Sequence, residues 1–231
     1  MKKLTMTLLL VATTSMFAHQ ITAKKAPNNT YKAEFWAHGH FQKFAPKQLK
    51  GATAYDINNQ KIKTGIDYSK DTTLLTAKKP SMIALTFDAG YWVEGEDGFK
   101  NIKEPSKYKG IVYGSLKSIK YGKRYFDWSE KFLQPIGMKI EVIPLINPLK
   151  IKAGQTLPIL VIKDGKAFEN ASIETSDYEN LDIKTNKFGI ANVPVKNKGL
   201  QIIAAVYYGE QINDANVNGI TLQSSISFEV K

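Results

Sequence analysis

The 231-residue sequence contains no cysteine and only three histidines, and both scarcities limit what the protein can do. Without cysteine there is no disulfide, no thioether lipid anchor and no thiolate ligand, so a bound metal ion must be held by nitrogen and oxygen donors. The sequence also lacks a Gly-x-Ser-x-Gly elbow, a His-Glu-x-x-His helix motif and a phosphate-binding glycine loop. We therefore expect a protein that is not an enzyme.

Long apolar runs are scarce as well. The first eighteen residues carry Lys2 and Lys3, then an apolar run, then small residues that end at Ala18. This pattern predicts a signal peptide over residues 1–18, and with it a periplasmic or secreted protein. No later segment approaches the roughly 20 apolar residues that span a bilayer, so we expect no transmembrane segment in the mature form. Cleavage after Ala18 would make His19 the N-terminal residue, whereas cleavage after Ala23 would remove it.

The charge is strongly positive, with a formal net charge of +11 at pH 7. An acidic partner such as an anionic surface or nucleic acid is one interpretation of this excess. The lysines are scattered and form no long basic tract, and export argues against nucleic acid. We expect a solvated basic surface and no nucleic-acid partner.

The three histidines lie close together near the expected mature terminus. The segment Glu34-Phe-Trp-Ala-His-Gly-His-Phe41 alternates like a strand, which predicts that Trp36, His38 and His40 share one face, with the histidine Cα atoms about 7 Å apart. One divalent ion could bridge such a pair, since imidazole suits nickel, cobalt, copper and zinc. Two exposed polar residues on a sheet face are the alternative interpretation. The candidate metal ligands are His38, His40 and, if cleavage follows Ala18, His19, with possible support from Glu34, Asp88 and Glu94.

Short strand-like segments separated by turn residues predict an all-β fold. We expect a flexible lead-in over residues 19–30 and an N-terminal β domain over residues 31–136, with an irregular insertion between Asp88 and Pro135. Residues 137–231 are expected to form a second β-sandwich of immunoglobulin-like or transthyretin-like type. The predicted architecture is thus two β-sandwich-like domains.

The insertion is rich in aromatic residues and suggests a second kind of site. Tyr91, Trp92 and Trp128 could form a surface for a glycan or an envelope protein without any metal. The nearby acids could in principle cut a sugar with two carboxylates, but acids in glycine-rich loops are more often turn formers. These acids are Glu94, Glu96, Asp97 and Asp127.

Several stretches taken together resemble a periplasmic nickel/cobalt-uptake component family, whose shared domain is otherwise poorly characterised. The stretches are His38-Gly-His-Phe-Gln-Lys-Phe-Ala-Pro46, Ala89-Gly-Tyr-Trp-Val-Glu-Gly-Glu-Asp-Gly-Phe99, Tyr121-Gly-Lys-Arg124, Gly137-Met-Lys-Ile-Glu-Val-Ile-Pro-Leu-Ile-Asn-Pro148, Gly154, Asp164-Gly-Lys166 and Asn186-Lys-Phe-Gly-Ile-Ala-Asn-Val-Pro194. The resemblance implies a non-enzymatic periplasmic protein that handles nickel or cobalt, with copper or zinc as other possible ions. It also implies a membrane metal-uptake system as partner, and His38 and His40 as ligands. Where family members often carry a further histidine, this chain has Tyr207 and Tyr208.

Overall fold

The computed structural model describes residues 19–28, 30–176, 182–214 and 216–231. Within these ranges the chain forms β-strands and short 3₁₀ turns and contains no α-helix, so the all-β prediction is confirmed. None of the helical turns in the described ranges has the length and apolarity that a membrane crossing requires. The expected signal peptide, residues 1–18, lies outside the described residues.

The strands follow one another closely along the chain. They are β1 (Gln20–Lys25), β2 (Tyr31–Ala37), β3 (His40–Gln42), β4 (Leu49–Tyr55), β5 (Lys61–Ile62), β6 (Thr64–Asp67), β7 (Thr73–Thr76), β8 (Met82–Gly95), β9 (Gly98–Asn101), β10 (Val112–Tyr125), β11 (Ile140–Pro144), β12 (Gln155–Lys163), β13 (Lys166–Ala167), β14 (Ser172–Thr175), β15 (Ile190–Val195), β16 (Gly199–Asp214) and β17 (Val217–Val230). The 3₁₀ turns span Pro46–Gln48, Pro105–Lys107, Glu130–Leu133 and Pro148–Lys150.

These strands pair into three sheets in the described part of the chain. The N-terminal sheet has the order β1-β2-β7-β6, with β3 paired to β2. The central sheet has the order β14-β16-β17-β10-β8-β4-β5, with β9 paired to β8. The C-terminal sheet has the order β11-β12-β13, with β15 paired to β12.

The start of β8 shows how the three sheets stack. Met82 and Ala84 belong to the core that the central sheet shares with the C-terminal sheet. Ile83, Leu85 and Phe87 belong to a second core, which the central sheet shares with the N-terminal sheet. Successive strand side chains point to opposite faces, so a continuous apolar run is what a strand buried on both sides needs. The central sheet is therefore the middle layer.

Strands from both sides of the boundary expected between residues 136 and 137 pair in one sheet. Strand β10, from the expected first domain, pairs in parallel with β17, from the expected second, from Leu116 opposite Gly219 to Arg124 opposite Ser227. The core beneath the C-terminal sheet also combines Tyr125 and Phe132 with side chains from the later strands. Pairing between distant segments is set by tertiary packing, which local turn signals do not report. The central sheet thus joins strands from both expected domains.

The segment expected as a flexible lead-in, residues 19–30, instead contains strand β1. Ile21 and Ala23 are buried in the core with the N-terminal sheet. On the other face, the Thr22 hydroxyl lies 2.6 Å from the Ser227 hydroxyl of β17. The segment is rich in polar residues, which is why its strand was not predicted. The strand can be buried on both faces because its polar side chains have polar partners.

The insertion expected to be irregular is largely regular. β8 and β10 form a long antiparallel pair of 14-residue strands, to which β9 adds a third. The pairing shifts between Ser118 and Ile119, where Gly90 adopts φ +83° in the facing strand. A bulge adds one residue to one strand and breaks the period-2 pattern, which explains why sequence alternation did not reveal it.

A buried ion pair lies where β10 leads into β11. Lys123 Nζ lies 2.8 Å from Glu141 Oε1, and both side chains are at most 1% exposed. The Glu141 carboxylate also accepts hydrogen bonds from the backbone N–H groups of Ile136, Gly137 and Met138. Burial lowers the pKa of Lys123, while the neighbouring Glu141 raises it. The Glu141 carboxylate, with its several hydrogen-bond partners, thus stabilises the connection between β10 and β11.

Candidate metal centre

The His-x-His segment is a hairpin turn and not a single strand. β2 ends at Ala37, β3 begins at His40, and these two residues are paired. His38 and Gly39 form the two-residue loop, with φ angles of +52° and +79°. Positive φ at both loop positions is the requirement of a type I′ hairpin. The prediction that Trp36, His38 and His40 share one strand face is therefore wrong, because the chain reverses between the two histidines.

The reversal brings His38 to His19 instead. Their Nε2 atoms lie 3.0 Å apart, and the ring centroids lie 4.5 Å apart with the planes almost perpendicular, at 89°. The register of the two strands explains this contact. Gln20 pairs with Trp36 at the start of β1, so His19 lies beside the end of β2, where the turn begins. A pairing across nineteen residues depends on this register, although the dipeptide His-Gly between strand-like segments was a local signal for the turn.

Aromatic rings support the pair from the protein side. The His19 ring lies 6.3 Å from the Phe35 ring, which stacks on Phe87 at 5.0 Å. His19 is half-buried and His38 is exposed. The pair therefore lies where the core beneath the N-terminal sheet meets solvent, with one ring held by packing and the other accessible.

His40 lies next to this pair in the chain but has a different environment. It is exposed, and its Nδ1 lies 2.9 Å from the backbone carbonyl oxygen of His38. A carbonyl oxygen only accepts hydrogen bonds, so Nδ1 is the nitrogen that carries the proton. In the neutral ring, Nε2 then holds a lone pair that a metal ion can use.

The carboxylates expected to support a metal site lie on two different strands, β2 and β8. Glu34 lies 3.9 Å from Lys24 Nζ, on the face of β2 opposite Phe35. Asp88 accepts a hydrogen bond from the Gly90 N–H at 2.9 Å and lies 3.6 Å from Lys117 Nζ. Glu94 lies in β8, opposite residues of β9 and β10. Across the described ranges, no three His, Asp or Glu side chains form a cluster that could hold a metal ion.

The aromatic residues of the alternative surface are not gathered in one place. Tyr91 donates its hydroxyl proton to Asp214 at 3.2 Å, whereas the Trp92 indole N–H donates to the Ala89 carbonyl at 3.2 Å. As neighbours on β8, these two side chains point to opposite faces. Trp128 instead packs on Tyr125, at the other end of β10. The structure therefore does not assemble the three into one binding surface.

A buried polar cluster near β1 was not found from the sequence. Lys120 on β10 donates to the Gln223 side chain on β17, and Gln20 on β1 donates to the same oxygen at 3.5 Å. Burial lowers the pKa of Lys120 to about 8 and raises the pKa of Glu174 to about 7, and each group counteracts the shift of the other. Within the described ranges, one Glu174 oxygen is buried without a hydrogen-bond partner. No local motif reports such a cluster, because its members come from separate strands.

The fold and the site together define an all-β protein that presents a pair of histidines at the edge of a layered sheet structure. The chain belongs to the family described as a domain of unknown function, DUF4198, whose model matches residues 15–209. No curated protein matches the chain. The matched range includes all three histidines and most strands of the described structure.

Proposed function

We propose that this is an exported, non-enzymatic protein that binds a divalent transition metal ion, nickel or cobalt, and presents it to a membrane uptake system. The site is the His19–His38 pair. The nickel and cobalt preference draws on the family resemblance of the sequence motifs, and export draws on the expected signal peptide.

The observation that carries the proposal is the separation of the two Nε2 atoms, which is 3.0 Å. Two nitrogens at roughly 2.0–2.1 Å from one ion and this far apart subtend an angle of roughly 95° at the ion. Imidazole pairs suit nickel, cobalt, copper and zinc, so a single ion of this group could be held by both rings. A small movement of the two rings would replace the contact between the His19 and His38 Nε2 atoms with a bond from each nitrogen to the ion.

Two imidazoles leave the remaining coordination positions open. A site that must take up and release its ion benefits from such open positions, whereas a structural site is closed by four protein ligands. Water fills the open positions during transport, and donors of the receiving membrane protein replace it at delivery.

Cleavage of the expected signal peptide after Ala18 would create a second way of binding a metal ion at His19. The new α-amine of His19 would chelate together with Nδ1 of the same ring, whereas Nε2 is the atom that faces His38. The amine chelate and the two-histidine site therefore use opposite nitrogens of His19. A protein that begins at residue 19 has both modes, and one that begins at residue 24 has neither.

Calorimetric titration with Ni(II), Co(II), Cu(II) and Zn(II) tests the proposal, using protein that starts at residue 19 and carries an acetylated N-terminus, which removes the amine chelate. Wild-type protein should bind Ni(II), and His38→Ala should lose more affinity than the ~10–100-fold typical of outer-shell substitutions. Lys47→Ala, an exposed change on the 3₁₀ turn after the hairpin, is the matched control and should bind as wild type does. Equal binding by wild type and the double variant His19→Ala/His38→Ala would disprove the proposal, as would no binding by wild type.

A further inference from the structure

We infer that the chain is processed at the Ala18–His19 bond, so that the mature protein begins at His19. The inference rests on the export that the proposed function includes, and it needs no metal ion. It assigns a proteolytic cleavage site for which the sequence leaves two candidates, one after Ala18 and one after Ala23.

The residues around the two candidate bonds do not decide between them. A signal peptidase selects small residues at the first and third positions before the bond that it cuts. Both candidates have alanine directly before the bond, whereas the third residue before it is Met16 in one case and Ile21 in the other. The choice therefore depends on what each cut would remove from the folded protein.

A cut after Ala23 would remove the first four residues of strand β1. Residues 20–23 are each at most 2% exposed, and they pair in register with residues 33–36 of β2. The part of the strand that would remain consists of two exposed lysines, Lys24 and Lys25. A cut after Ala18 leaves the whole of β1 in the protein.

The four residues also connect the N-terminal sheet to the central sheet. The Thr22 hydroxyl lies 2.6 Å from the Ser227 hydroxyl, and the Gln20 side chain donates to Gln223 at 3.5 Å. Ile21 belongs to the core that the two sheets share. Because buried polar groups need hydrogen-bond partners, a chain that begins at Lys24 would lose partners of β17 as well as apolar packing.

The central sheet is shaped to receive the backbone of β1. At Gly122 on β10, a Cβ atom would lie 2.0 Å from the carbonyl oxygen of Ile21. Glycine is the residue that allows such a close approach of two backbones. The Ala23–Lys24 bond lies within this packed strand, whereas the Ala18–His19 bond precedes it, and proteolysis concentrates in unpaired segments.

N-terminal sequencing of the exported protein tests the inference. The full chain, residues 1–231, is produced in a bacterium with a general secretory pathway and purified from the periplasmic fraction. The sequence should begin His-Gln-Ile-Thr. A protein that begins Lys-Lys-Ala-Pro, or at any other residue of the exported chain, overturns the inference and leaves export intact. A chain that keeps Met1 and stays in the cytoplasm refutes the proposed export, and the inference with it.

Two variants of the full chain examine the bond itself. Ala18→Leu places a large residue directly before the bond and should abolish the product that begins at His19. Lys24→Ala, an exposed change beside the alternative bond, is the matched control and should leave the terminus at His19. A product of Ala18→Leu that still begins at His19 would mean that a signal peptidase does not cut there, which overturns the inference.

Urea unfolding measures separately what the first residues of β1 contribute to the fold. A chain that begins at Lys24 should have a midpoint lower by about 1 M or more than one that begins at His19, because it lacks buried Ile21, and failure to fold is the same result in its extreme form. A chain that begins at Gln20 keeps all of β1, and its midpoint should stay within about 0.3 M of that of the His19 chain. Equal midpoints for the His19 and Lys24 chains would remove the structural basis of the inference.

Discussion

The buried pair Lys123–Glu141 yields the prediction whose magnitude follows most directly from the structure. The 2.8 Å contact joins two side chains that solvent does not reach. The two partners are not equivalent, because Glu141 also receives backbone N–H groups from the connection that follows the 3₁₀ turn. Among the described residues, the Lys123 ammonium donates its hydrogen bond to the Glu141 carboxylate. Removing the Glu141 charge should therefore lower the free energy of unfolding more than removing Lys123 does.

The expected magnitudes follow from what each substitution leaves behind. Glu141→Gln leaves a buried ammonium without its counter-charge, and breaking such a pair typically costs about 3–5 kcal/mol. Lys123→Met leaves a carboxylate that still accepts backbone hydrogen bonds, so we expect a smaller cost of about 1–3 kcal/mol. The double variant should be less destabilised than the sum of the single variants, with a coupling of about 1–3 kcal/mol.

Urea unfolding followed by circular dichroism measures these costs as changes in the free energy of unfolding. Lys32→Met is the matched control, because Lys32 forms a surface pair with Asp71 at 3.0 Å that is exposed on both sides. We expect it to change stability by no more than about 1 kcal/mol. A cost for Lys123→Met equal to or larger than that for Glu141→Gln would refute the reasoning, and so would additive costs in the double variant.

Two further predictions concern the attachment of β1 and the buried acid near it. Gly122→Ala should destabilise the protein by about 1–3 kcal/mol, because a Cβ there would lie 2.0 Å from the Ile21 carbonyl oxygen, while Gly51→Ala, with open space, should be tolerated in the same urea assay. The pKa of Glu174 is raised from 4.5 to about 7 by burial, so the folded state binds the proton more tightly and wild-type stability should fall as pH rises through this window. Glu174→Gln should lose that decline between about pH 4.5 and pH 7 in unfolding curves, and an unchanged slope would contradict the shift.

Much of the strand content was predictable because burial on one or both faces leaves a clear pattern. The sequence indicated a strand-like segment from Met82 to Phe87 and an alternating one from Met138 to Ile143, and the structure has strands β8 and β11 there. In each of these segments, the residues that favour a strand are close together in the sequence. Local pattern was sufficient to predict an all-β protein.

The arrangement of the sheets was less predictable, since it depends on partners far apart in the sequence. β1 looked like a flexible lead-in because its polar residues find buried partners on β17, as Thr22 does with Ser227. The parallel pairing of β10 with β17 leaves no signature within either strand. In both cases the decisive contacts join residues about one hundred or two hundred positions apart.

The candidate site, like the fold, was predictable from the sequence only in part. The three histidines could be selected from the sequence, since they are rare and lie close together. Their grouping could not, because a type I′ turn at His38-Gly39 replaced the expected alternation. One reversal of the chain changed the pair from His38 with His40 to His38 with His19.

The interior position of β17 has a consequence for how the molecule reaches its native state. This strand comes last among those described, yet it lies between β10 and β16 and touches strands from both ends of the chain. The central layer cannot close without that segment, so its formation depends on pairings between residues far apart in the sequence, which are intrinsically slow.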